Sequence, residues 1–167
     1  MKKILTGIIA LLLLLGSSKA GWGQNFSEKF LEHIPKKTAI VATVNSSMIE
    51  ALKKWEVDEE LQAFLNELSF LRIITIPTSA DINLDSYCIK VREQVKKHGQ
   101  GEELLSINDK QRQTLLMIFD KTANNKAGEI VFINCDESVL VIINITGNIS
   151  IGNLGQLSNL SKSFKKL

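Results

Sequence analysis

Residues 139–145 read VLVIINI, a strand-length run in which Asn144 alone is not apolar. Residues 114–119, TLLMIF, are nearly as apolar. An antiparallel strand with one wet face alternates polar and apolar side chains, and neither run does, so both faces of the sheet they form must be covered. Helices of the same chain supply both covers, or a second subunit or an apolar ligand supplies one.

Working outward, apolar runs at 103–107, 114–119, 130–135 and 139–146 are joined by polar connections at 108–112, 120–128 and 136–138. Short strands separated by turn chemistry predict a four-strand antiparallel meander. Upstream, TAIVATV at 38–44 is β-branched and almost wholly apolar, as in a strand buried on both faces. Ser47 with Glu50 three residues on forms a capping box, followed by Met48, Leu52 and Trp55 on one helical face. Asp58 is placed to cap a second helix carrying Leu61, Phe64, Leu65 and Leu68. FLRIITI at 70–76 returns to strand character, ended by Pro77. Leu84, Cys88, Val91 and Val95 then recur at helical spacing, with Lys96, Lys97 and His98 in the last turn before Gly99. Ile151, Leu154, Leu157 and Leu160 predict a final helix. The expected fold is α+β: a mixed sheet with an N-terminal β-α-α-β-α unit, a C-terminal four-strand antiparallel meander and a final helix.

The first 23 residues stand apart. Lys2 and Lys3 precede an apolar stretch at 4–15 and a small-residue segment at 16–20, the three-part pattern of a secretory leader. The apolar stretch is about half of the roughly 20 residues a membrane-spanning helix needs. Small residues allow cleavage after Ala20 or after Gly23. A retained N-terminal anchor is the alternative, but no stop-transfer charge cluster follows the run. No cysteine precedes Cys88, so a lipid anchor on cysteine is excluded. The mature chain, residues 24–167, is read as one domain without a stable membrane span, located in the periplasm or secreted.

Composition narrows the function. The chain has 20 basic and 18 acidic residues; without Lys2, Lys3 and Lys19 it has seventeen against eighteen, or −1. Nucleic-acid binders gain affinity from clustered Lys and Arg, so a near-neutral chain with scattered charges argues against that partner. No serine lies in a G-x-S-x-G elbow, and neither a dinucleotide nor a P-loop glycine pattern occurs. Gly147, Gly152 and Gly155 read as turn and close-packing residues. His33 and His98 fall at separate predicted helix ends and read as solvated rather than metal-ligating. Asp81, Asn83 and Asp85 imitate the start of a calcium loop, but Ser86 replaces its glycine and Arg92 its bidentate glutamate, so they read as a helix cap. The adjacent carboxylates Glu59 with Glu60, Glu102 with Glu103 and Asp136 with Glu137 read as solvated surface, as do the basic pairs Lys36 with Lys37 and Lys165 with Lys166. No catalytic, cofactor or metal residue is assigned.

Cys88 and Cys135 form no C-x-x-C pair. An oxidising compartment permits a disulfide between them; two buried thiols acting as small hydrophobes are the other reading.

Two segments, 41–52 (VATVNSSMIEAL) and 129–157 (EIVFINCDESVLVIINITGNISIGNLGQL), together with the leader, resemble domain-of-unknown-function family 4252 (DUF4252). The resemblance covers most of the mature chain and implies a small exported protein of Bacteroidota with no assigned catalytic residue. Many members carry a lipoprotein cysteine behind the leader, and this chain departs from that. Their gene neighbours, sigma factors and membrane regulators, imply a place in envelope signalling. The expected function is therefore a non-enzymatic domain that binds an envelope protein or a second copy of itself. A carrier of an apolar small molecule beneath the meander is one alternative, and an enzyme whose carboxylates are assembled only by folding is the other.

Overall fold

The computed structural model describes residues 25–35, 38–54, 59–79, 82–109 and 112–154. The leader with its cleavage points Ala20 and Gly23 lies outside them, as do Lys36, Lys37, Trp55, Asp58, Asp81, Gly155, Leu157, Leu160, Lys165 and Lys166. In chain order come α1 (Phe26–Phe30), a 3-10 turn (Leu31–His33), β1 (Ile40–Val44), α2 (Ser46–Leu52), α3 (Glu59–Glu67), β2 (Leu68–Pro77), α4 (Leu84–Lys96), then β3 (Glu102–Asn108), β4 (Arg112–Phe119), β5 (Lys126–Asp136) and β6 (Val139–Ser150), and a second 3-10 turn (Ile151–Leu154).

The six strands form one sheet in the order β1-β2-β6-β5-β4-β3, and every neighbouring pair is antiparallel. The expectation of a mixed sheet is corrected. A single helix between two strands returns the chain to its starting end and makes them parallel, whereas the two helices between β1 and β2 add one more reversal. Only α4 separates β2 from β3, and those strands do run the same way, but four places apart. α4 therefore crosses one face of the sheet, packing on β6, β5 and β4.

Both faces are covered, as the unbroken apolar strands require. On the first face, Met48, Ile49 and Leu52 of α2 and Phe64 and Leu65 of α3 pack on Ile73, Val141, Ile143, Ile145, Ile130 and Ile118. On the second, Leu84, Cys88, Val91 and Val95 of α4 and Phe26 and Phe30 of α1 pack on Ile74, Ile76, Leu140, Ile142, Val131 and Ile133. The apolar stripe read for α4 is the face it buries.

Other local expectations are corrected. β1 is an edge strand, not one buried on both faces: Ile40 and Val41 are 55% and 40% exposed because they lie beyond the reach of the covering helices. α2 is capped by Asn45, whose side chain accepts from the Met48 N–H, while Glu50 pairs with Lys53 instead of closing a capping box. α4 is capped by Asn83, which accepts from Ser86 N–H. Ile151 and Leu154, the start of the expected final helix, lie in the 3-10 turn Ile151–Leu154, and the rest of that helix lies outside the described residues. Among the described residues, no helix is long and apolar enough to cross a membrane.

Candidate functional site: a polar row beneath the first helix

Alternation along β2, β6 and β5 brings Arg72, Asn144 and Glu129 onto the second face, in line with the aliphatic residues two positions away on each strand. All three are buried, at 9%, 0% and 7% exposure. Burying such groups is costly unless each finds partners, and here the start of α1 provides them. Asn25 caps α1 by accepting from Glu28 N–H, which leaves the N–H groups of Phe26 and Ser27 pointing at the sheet. Phe26 N–H donates to Glu129 Oε1 at 2.8 Å, and Ser27 N–H donates to Asn144 Oδ1 at 3.1 Å. Asn144 Nδ2 donates to Glu129 Oε1 at 2.7 Å and to the Ile130 carbonyl at 3.2 Å, so one amide ties helix and strands together. Arg72 Nη1 donates to Ser27 Oγ at 3.2 Å, Ser27 Oγ donates to Asn25 Oδ1 at 2.9 Å, and Arg72 Nε donates to Thr43 Oγ1 at 3.1 Å. The guanidinium also lies over the Phe70 ring. Burial pulls its pKa below the ordinary arginine value, and the nearby Glu28 carboxylate pulls it back up.

His98 completes the row. Its Nε2 lies 2.9 Å from Glu129 Oε2, and its ring sits edge-on between Phe26 and Phe119. The reading of His98 as a solvated helix end is overturned: its side chain is 10% exposed, covered by Glu129 and by the Phe26 and Phe119 rings. His33 is exposed, with Nδ1 3.2 Å from the Lys29 carbonyl. The phenol of Tyr87 donates to the His33 carbonyl, pinning the turn after α1, and burial pushes that phenol up. Beside α1 runs an open groove of about 230 Å³ lined by Phe26, Lys29, Phe30, His33, Gln94, Lys97 and His98.

The structure joins Cys88 to Cys135 in a disulfide between α4 and β5, with Cα atoms 6.4 Å apart. Glu102 pairs with Lys121 and Glu103 with Lys96, whose ammonium holds the Glu103 carboxyl below the usual carboxylate range. Asp136 Oδ1 accepts from Ser138 N–H and Val139 N–H, closing the β5–β6 turn. No group of three or more His, Cys, Asp or Glu placed to hold a metal ion occurs among the described residues. Of the row, the sequence marked only Asn144, as the one polar residue in its run. Arg72, the one charged residue of FLRIITI at 70–76, offered the same kind of signal but was not singled out, whereas Glu129 and His98 carried none until strand register placed them together.

The family model described as Domain of unknown function (DUF4252) matches residues 35–157, most of the chain and all six strands. The chain belongs to the DUF4252 family. No curated protein and no solved structure matches it. Within the DUF4252 match lie Arg72, His98, Glu129 and Asn144, whereas Asn25, Phe26 and Ser27, which satisfy them, precede it.

Proposed function

We propose that this DUF4252 protein is an exported, non-enzymatic binding domain of the cell envelope, with a place in envelope signalling, that engages its partner through the second face of the sheet. The observation that carries this reading is the polar row. Glu129 and Asn144 receive main-chain N–H groups of a short chain segment, the chemistry by which a protein holds a peptide. A catalytic base needs a lone pair within reach of a substrate, and both oxygens of Glu129 are already engaged by protein groups. The two-sided strands that raised the apolar-carrier alternative are met by the protein's own helices on each face.

Site-specific photo-cross-linking in cells tests the reading. A cross-linking residue at Gln94 or Lys97, beside the groove, is expected to trap one discrete envelope protein. The same group at Asn124, in the β4–β5 connection, is expected to trap none. Equal capture from all three positions, or none from the groove, overturns the proposal.

A further inference from the structure

We infer that β1 is a docking edge for a second copy of this chain. Two β1 strands pair antiparallel about a two-fold axis, and the two sheets become one continuous sheet. This edge is separate from the groove beside α1, and the inference does not depend on what that groove binds.

Three observations carry it. The first is a difference between the two edges of the sheet. An edge strand offers unpaired N–H and C=O groups to any other strand, and proteins that stay apart guard such edges with charges, bulges or prolines. β3 is guarded: Glu102 and Glu103 are exposed on it and paired with Lys121 and Lys96, and its register slips between Glu103 and Leu105. β1 is not. Its sequence IVATV has neither charge nor proline, and it pairs with β2 from Ile40 to Val44 without a register shift. The second observation is where large apolar side chains remain in water. Among the described residues these are Ile40, Val41, Ile89 and Leu105, and the first two are neighbours on β1.

The third observation says what covers the edge. Exposure falls along β1 from 55% at Ile40 to 4% at Val44, because α2 begins just past Val44 and packs with it in the same apolar cluster. Antiparallel pairing centred on Ala42 uses all five residues and sets Ile40 of each copy opposite Val44 of the other, and Val41 opposite Thr43. Each bare end thus meets the covered end of the other copy. A two-fold interface must complement itself, and this one does so without bringing like charges together. A five-residue edge is small against the roughly 1,600 Å² of a standard interface, so the dimer is weak and reversible.

Sedimentation equilibrium of the untruncated protein, over concentrations reaching about 1 mM, tests the inference. Wild type is expected to pass from monomer to dimer across the series. The variant I40K/V41K, changed at two exposed positions, is expected to raise the dissociation constant at least about tenfold, because edge lysines block strand pairing. Leu105→Lys, on the guarded edge, is expected to leave it unchanged. In hydrogen exchange, β1 amides are expected to gain protection as wild-type concentration rises, and β3 amides to gain none. A wild type that stays monomeric throughout, or a dimer that I40K/V41K leaves intact, overturns the inference. So does β1 protection that appears only when envelope extract is added, which would give the edge to a strand of another protein. If I40K/V41K does not fold, the wild-type exchange series decides alone.

Discussion

The two faces of the DUF4252 sheet are covered by different means. The first face is sealed by α2 and α3 through aliphatic and aromatic packing alone over most of its area. The second is divided: α4 is stapled to β5 by the Cys88–Cys135 disulfide and donates through Arg92 to the Ile107 and Thr114 carbonyls and Ser106 Oγ, while α1 is held at its start by hydrogen bonds to buried polar groups of the sheet. Aliphatic packing is non-directional, and in a close-packed interior it is sensitive to changes of volume rather than of angle. A covalent staple is permanent in an oxidising compartment. Hydrogen bonds to a polar seat are directional, and losing one leaves its buried partner unsatisfied. One sheet is thus covered on one side chiefly by apolar packing and, on its other side, by a helix joined through a disulfide beside a helix seated on buried polar groups.

The largest expected effect concerns the staple. The cysteines are 47 positions apart, so opening the loop should cost about 4 kcal/mol of stability. Urea denaturation of C88A/C135A against wild type measures it, and alkylation of unreduced, unfolded protein should find no free thiol. A cost under about 1 kcal/mol would mean that apolar packing alone fixes α4, erasing the contrast between the halves of the second face.

The next effect probes the first face. A Cβ on Gly147 would collide with the Glu67 carbonyl, where the end of α3 meets the bulge between β2 and β6. Because the obstacle is backbone, Gly147→Ala should cost about 3 kcal/mol. Gly152 has open space around it, so Gly152→Ala should change stability by less than about 1 kcal/mol. Equal effects at the two glycines would show that the Glu67 carbonyl shifts to make room and that the first face is not rigid there.

A smaller effect separates the halves of the second face. Asn144→Leu removes the amide that joins Ser27 N–H, Glu129 and the Ile130 carbonyl, and should cost about 2 kcal/mol through unsatisfied partners. Hydrogen exchange should then accelerate at Phe26 and Ser27 but not at Val91 and Val95 of α4. Acceleration in both places would make the face a single unit.

How much of this was legible follows from the kind of signal each feature leaves. The α4 stripe was readable because Leu84, Cys88, Val91 and Val95 repeat at the helical period and all bury. β6 was readable because its centre is apolar on both sides. α1 was not, because five residues contain too little periodicity to stand out, and its cap is one Asn beside the leader. The antiparallel direction of β1 was missed because strand direction depends on the number of chain reversals, not on strand composition. Glu129 and His98 lie 31 residues apart and each resembles surface in its local sequence. Only register, a long-range property, turns them into a buried pair. Asn144 was visible as an exception to its run, and its partners were what the sequence withheld.

The smallest effect marks the outer limit of the comparison. Lys96 at the end of α4 pairs with Glu103 on edge strand β3 at 2.8 Å, a further fastening of that helix beside the Arg92 hydrogen bonds to β3 and β4. Its ammonium is the main cause that holds the Glu103 carboxyl below the usual range, with Ser106 and Arg92 adding to it. A folded-state pKa depressed below the unfolded value contributes stability above the unfolded carboxylate range and loses it as pH falls through the folded value. Both side chains are more than a third exposed, so solvent and salt screen the pair, and Glu103→Gln should cost less than about 0.5 kcal/mol near pH 7. Wild type and variant should therefore converge as pH falls below the usual carboxylate range, and the difference at neutral pH should fade in about 0.5 M salt. A larger, salt-resistant difference would mean that the far end of α4 depends on this ion pair, so that the stapled half of the second face is fastened electrostatically at one end as the other half is.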